Sequence, residues 1–213
     1  MREKEGDWLK VAAFRVDDFL GSPLLASFDE MRKASERAKV WPAVRSAAIL
    51  YLEKGKLPQA DSSWPLPEAG VTEKAEIRKR DFPMASELVD IAIAEKRIDD
   101  VLRWHDYQKS KKKGIWGWDN HQDESVANAV ADRYPDRALA IWKNLAESQI
   151  ALTKPSAYET AAGYLRKVRT LLKELKRESE WQIYSSQLRQ ANIKKRSFLQ
   201  VLDRLDRRPI IKT

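Results

Sequence analysis

Apolar residues return at intervals of three and four along most of the chain, and no stretch holds the period-two alternation of β-branched residues that would mark a strand. The stretch "SAYETAAGYLRKVRTLLKELKR" is the clearest case. Tyr158, Ala161, Ala162, Leu165, Val168, Leu172 and Leu175 form one stripe, with Arg166, Lys167, Arg169 and Lys173 largely off it. Ser156 stands where an N-cap belongs, with Glu159 three residues on as in a capping box. At about 1.5 Å per residue such a helix is roughly 30 Å long. The same grammar predicts a helix after Asp7 that stops at Gly21, one capped by Ser22 with Pro23 in its first position, and one opening near Pro42 and ending at Gly55. Three prolines in "KLPQADSSWPLPEAG" make it the longest connection. Helices are then expected from about Thr72 to Arg80, Phe82 to Lys96 and Ile98 to Lys109. After "KSKKKGIWGW" they resume over 120–132, 135–152, 156–176, 179–191 and 194–205, about twelve in all. The predicted fold class is all-α.

One pattern is written twice. "AEKRIDDVLRWH" at 94–105 and "ADRYPDRALAIW" at 131–142 align at an offset of 37 residues, matching Ala94 with Ala131, Asp99 with Asp136 and Leu102 with Leu139. Each reads as a helix end, a turn and a new helix with an aspartate in its first turn, where the macrodipole favours it. The small alanines are expected to let the two helices of each hairpin approach closely, and the leucines to fill the space between them. Weaker echoes occur at "RAKVWPAVRSAAIL" and "KRESEWQIYSSQL", where a basic-rich helix end precedes a tryptophan. Periods of this length are the signature of stacked helical hairpins, which predicts a TPR/HEAT-like right-handed superhelix. A nonrepetitive bundle with coincidental similarities is the competing reading. The chain is expected to be a single repeat domain over 1–213, with a candidate sub-lobe break at the proline-rich connection 56–71.

Charge changes the picture along the chain. The formal net charge of +8 arises from −2 over residues 1–100 and +10 over residues 101–213. Such asymmetry suits a polyanion partner, although long solvated helices carry lysine and arginine for solubility alone. The basic residues gather in two short clusters, Lys109, Lys111, Lys112 and Lys113, and Lys194, Lys195 and Arg196. Eight tryptophans invite a stacking function, but Trp8, Trp41, Trp104, Trp142 and Trp181 fall within or at the first turns of predicted helices, so core positions are expected for them. Trp64, Trp116 and Trp118 lie in connections beside proline or glycine, and they are the candidates for exposed aromatic contact.

Several of these blocks together carry a resemblance. "WPLPEAG", "RDFPMASELVDIAIAEKRIDDVLRWHDY", "VANAVADRYPDRALAIWKNLAESQIALTKPSAYETAAGYLRKVRTLLKEL" and "EWQIYSSQLRQANIKKRSFLQVLDRL", with "ASERAKVWPAVRSAAILYLEKG" upstream, resemble in that order the C-terminal helical region of prokaryotic SWIM zinc-finger proteins. The likeness spans essentially the whole chain. The family's finger uses cysteine and histidine and is associated with DNA binding or protein interaction, and its zinc ligands have no counterpart in a chain without cysteine. What the resemblance implies is a scaffold or interaction module, in a protein that works near nucleic acid.

Chemistry is sparse. Without cysteine there is neither a disulfide nor a thiolate metal site. His105 and His121 are 16 residues apart on different predicted helices, and there is no HExxH, P-loop, GxGxxG or GxSxG. Asp17/Asp18 and Asp99/Asp100 are adjacent, so on a helix they face about 100° apart and do not share a reacting centre. The expectation is therefore no enzymatic activity, no cofactor and no metal. No run of apolar residues is long enough to span a bilayer, and "MREKEGDWLKVAAF" places acids where a secretory signal would place a basic region. A cytoplasmic monomer or weak oligomer with a protein partner is expected, nucleic acid being the alternative partner and a membrane not.

Overall fold

The computed structural model describes residues 7–58, 64–67, 80–111 and 120–206, and of residues 120, 121 and 206 the backbone alone. The described residues form ten α-helices and no strand. The helix expected over Thr72–Arg80 lies, but for Arg80, outside them. Packing divides the chain into two compact units, Met1–Lys113 and Gly114–Thr213. The division falls in the lysine-rich break, and the proline-rich 56–71 connection lies within the first unit.

The first unit contains α1 (Trp8–Gly21), α2 (Leu25–Arg37), α3 (Trp41–Lys54), α4 (Ala85–Ala94) and α5 (Ile98–Lys111). Asp7 caps α1 as expected, accepting from the Lys10 N–H at 3.3 Å. Ser22 does not cap α2. Pro23 is buried and Leu24 is extended, so the helix begins two residues later, and the Ser27 hydroxyl ties the entry by donating to the Ser22 carbonyl at 2.6 Å. Phe19 and Phe28 meet edge-on at 5.7 Å, and Phe28 meets Trp41 at 5.4 Å, which joins α1, α2 and α3 through one aromatic chain. Phe19 and Phe28 are fully buried, but Trp8 and Trp41 are only half-buried, contrary to their expected core positions. Both sit in the first turn of a helix at the edge of the unit, and Trp8 lies under the Arg37 guanidinium at 4.4 Å. Gly55 ends α3 with φ 69°, and a Cβ there would lie 2.7 Å from the Phe82 ring, so both conformation and space call for glycine.

Three helices end on a lysine in the left-handed region: Lys39, Lys96 and Lys176, with φ of 60°, 56° and 58°. Each closes a Schellman motif. The N–H after the lysine reaches back five residues, to Ser35 O, Ala92 O and Leu172 O, and the next helix starts one residue later. These are the turns of "RAKVW", "EKRID" and "LKRES", so the weaker sequence echoes share their turn with the 94–105 segment. The 131–142 segment turns otherwise: the Arg133 and Tyr134 N–H groups both reach Val130 O, and Pro135 opens the next helix. Asp99 and Asp136 do sit in first turns. Ala94, however, is exposed and Ala131 half-exposed, so neither sets the helix spacing. The buried alanines of these hairpins include Ala92 in α4, and the fully buried Ala127, Ala138, Ala161 and Ala162. Leu139 is buried and Leu102 half-buried. Because a non-glycine residue pays about 1–2 kcal/mol for this conformation, part of which glycine returns as chain entropy, Lys96→Gly is expected to stabilise the protein by about 0.5–1 kcal/mol. An unchanged or lower urea midpoint would show that the lysine stem contributes packing.

The second unit contains α6 (Asn120–Val130), α7 (Pro135–Ala151), α8 (Pro155–Glu174), α9 (Glu178–Ala191) and α10 (Arg196–Asp206). α8 begins at Pro155, with Lys154 as its N-cap, so Ser156 lies inside the first turn and makes no cap. Proline occupies the first helical position because its missing N–H costs nothing there. Two layers result. Contacts from α7 to α9 run in step along both helices, Arg177 to Asp136 at 2.6 Å, Tyr184 to Glu147 at 2.9 Å and Lys195 to Ile150 O at 3.0 Å, so the two lie parallel. α6, α8 and α10 make the other layer through Lys167 to Glu124 at 2.7 Å, Tyr158 against Phe198 at 5.6 Å and Arg204 to Glu159 at 2.8 Å. Trp142 and Trp181 are buried here, and Trp104 in the first unit, as expected.

Candidate interaction surface

Past the first turns of its helices, the α7/α9 layer of the second unit presents an outer face poor in fully exposed charges. On α9 the exposed residues from Ser179 to Gln190 are Ser179, Gln182, Ile183, Ser186, Gln187 and Gln190. On α7 they are Asp136 and Arg137 in the first turn, then Ala140, Asn144, Glu147, Ser148 and Ala151. A third of the chain is charged, so this depletion is local. Between the two helices lies a cleft of about 340 Å³ with Ile150, Ala151, Leu188 and Ala191 on its walls and Glu147 and Lys195 at its rim. Two of its polar groups are tied to each other. Tyr184, nine-tenths buried, donates to Glu147 Oε1, and burial first, then the Glu147 charge and hydrogen bond, push its phenol well above its ordinary value. Tyr184 thus stands as the hydrogen-bond donor to Glu147. Lys143 Nζ stands 4.7 Å above its ring.

At one end of this cleft two connections come together, because the Lys195 ammonium donates to the last carbonyls of α7 at Ile150 O. One is Leu152–Lys154, the other Asn192–Lys195. Both carry a largely exposed aliphatic residue beside basic ones: Leu152 is 53% exposed and Ile193 71%, the highest value among the described large apolar residues. Lys154, Lys194 and Arg196 are all exposed. Neither α8 nor α10, which both start at this end, has an acidic residue in its first turn.

No family model, curated protein or solved structure matches the chain.

The structure brings Lys194, Lys195 and Arg196 into this end of the second unit, with Lys195 holding the two connections together. The other basic cluster belongs to the first unit. Lys109 and Lys111 are exposed on the last turn of α5, with Lys111 Nζ 5.6 Å from the Tyr107 ring, while Lys112, Lys113, Trp116 and Trp118 lie outside the described residues. Trp64 is half-buried. The first unit has a smaller cavity, about 130 Å³, between α3, α4 and α5. Its charges are already matched, Arg45 with Glu95, Arg97 with Asp100 and Arg103 with Glu53, and Arg103 also lies on the Trp104 ring at 4.4 Å. His105 is buried, the His121 side chain lies outside the description, and no group of three or more metal-ligating side chains occurs among the described residues. Asp17 is held above the usual carboxylate range, by burial first and by Asp18 second, which suits a helix-surface neighbour pair. Among the described residues no helix is long and apolar enough to cross a membrane.

Leu152, Lys154 and Ile193 escaped the sequence reading because the patch joins loops about forty residues apart. The signal was present in "ALTKPS" and "ANIKKRS", two acid-free connections that each set an aliphatic residue beside lysine.

Proposed function

We propose that the chain is a non-catalytic helical-repeat scaffold that binds protein partners on the α7/α9 layer, a role like that implied by its resemblance to the helical part of SWIM zinc-finger proteins. One observation carries the reading: a charge-depleted, cleft-bearing helix face on a strongly basic protein, the composition that separates the centre of a protein interface from ordinary surface. Parallel layers of hairpins support a TPR/HEAT-like right-handed superhelix as its frame. The role needs no cofactor and fits a cytoplasmic monomer or weak oligomer.

The basic cluster at Lys194–Arg196 favours a second reading, nucleic-acid binding. The two separate in one experiment. Affinity for labelled duplex and single strands is measured against salt, beside recovery of proteins from nuclease-treated extract by wild type and by Ile183→Lys. The scaffold reading expects partners that survive nuclease and are lost with Ile183→Lys, and nucleic-acid affinity no tighter than for any protein of this charge. A steep salt slope that Lys194→Glu with Arg196→Glu abolishes, with no nuclease-resistant partner, would replace it with the nucleic-acid reading.

A further inference from the structure

We infer that the end of the second unit formed by the α7–α8 and α9–α10 connections, together with the adjoining cleft, is a docking site for an acidic peptide segment bearing an aliphatic anchor. The inference rests on the protein-interaction reading above and specifies its partner chemistry.

Charge complementarity names the occupant. Lys154 and Lys194 are exposed basic side chains on two connections that contain no acid, Arg196 is exposed at the start of α10, and none of the three has a carboxylate partner among the described ion pairs of the unit. They stand beside Leu152 and Ile193, whose exposure costs the free protein solvation that a partner would restore. The cleft supplies depth. Ile150, Leu188 and Ala191 make a wall that takes a side chain the size of leucine. Lys195 is already spent on Ile150 O, so it fixes the site's shape rather than the ligand.

The charges also set direction. Glu147 sits at the far rim, hydrogen-bonded by Tyr184, and would repel a carboxylate placed there. The acidic residues of the segment therefore lie at the connections, the aliphatic anchor enters the cleft, and a neutral or basic residue follows toward Glu147. A nucleic acid has no aliphatic side chain for this cleft, and no aromatic ring stands on Leu152–Lys154 or Asn192–Arg196 to stack a base. A bilayer surface would meet the basic groups but not fill a concavity between helices.

The test uses the full chain and four fluorescent probes. These are a synthetic peptide with glutamates preceding a leucine and a C-terminal lysine, its leucine-to-alanine version, a labelled DNA duplex, and phosphatidylserine-containing vesicles. The leucine peptide is expected to bind about tenfold more tightly than the alanine peptide, the worth of one buried aliphatic side chain. Combining Lys194→Glu with Arg196→Glu should weaken it about tenfold or more and flatten its salt dependence. Ile193→Ser, at a site too exposed to affect folding, should weaken it with the salt dependence unchanged. Equal affinity for the two peptides, or tighter binding of duplex or vesicles through the same residues, overturns the inference. Loss of the nuclease-resistant partners with Ile183→Lys, measured beside this, tells failure of the acidic-peptide site from failure of the scaffold reading itself.

Discussion

Trp142→Ala is expected to lower stability by about 3–5 kcal/mol, the range of large aromatic truncations in cores. The ring is 5% exposed in α7 and lies under Lys167 Nζ at 5.7 Å, the lysine that also bonds Glu124 and Asn128 of α6. Removing it opens a cavity between the layers and takes away the platform that orients this α6–α8 link. The indole Nε1 has no hydrogen-bond partner although it is buried. The ring's contribution is accordingly packing, and Trp142→Phe, which keeps much of the volume and loses no bond, should cost far less than the alanine variant. Urea titrations followed by far-UV circular dichroism give the order. An alanine variant with the wild-type midpoint, or a phenylalanine variant as damaged as the alanine one, would rule out the packing account.

Most helices were legible because an amphipathic stripe is written at every turn, and their ends were legible where a residue has one dominant use. Gly55 is such a case, as is Asp7. The ends that misled involve proline. Pro23 is packed into the first unit and delays α2, whereas Pro155 takes the first position of α8 and pushes Ser156 inside it. The repeat was found through residue identities at 94–105 and 131–142, but the conformation that recurs is the left-handed lysine turn, shared with the fainter echoes. A lysine there gives no warning, since glycine or asparagine is the usual choice. Trp8 and Trp41 show the limit of inferring burial from element membership: a first-turn residue at the edge of a unit faces solvent on one side. The candidate site was half legible. Lys194 and Arg196 were visible as a cluster, while Leu152, Lys154 and the cleft depend on which loops the layers bring together.

The Arg45–Glu95 pair is expected to give the second large effect. Its two parallel bonds, 2.7 and 2.5 Å, join α3 to the turn between α4 and α5 across fifty residues of sequence, with side-chain exposures of 25% and 12%. The Glu95 hydrogen bonds, against the opposing effect of burial, hold the Arg45 guanidinium above its usual range. Glu95→Ala leaves that guanidinium half-buried with its fork unfilled. The cost should be about 2–3 kcal/mol, below the 3–5 of a fully buried broken pair because water still reaches one side. The pair's net worth is a different quantity, since forming it also cost the desolvation of both ions. Arg45→Met combined with Glu95→Leu should therefore recover most of the loss, as an apolar contact replaces the ionic one and leaves nothing unpaired. A double-mutant cycle of Arg45→Met, Glu95→Leu and their combination separates the two cases. A coupling of at least about 1 kcal/mol, with the double variant more stable than Glu95→Leu alone, marks an unpaired charge as the source of the damage. Strict additivity would mean that the two side chains act independently, and that the α4–α5 hairpin is held to α3 by its apolar contacts alone.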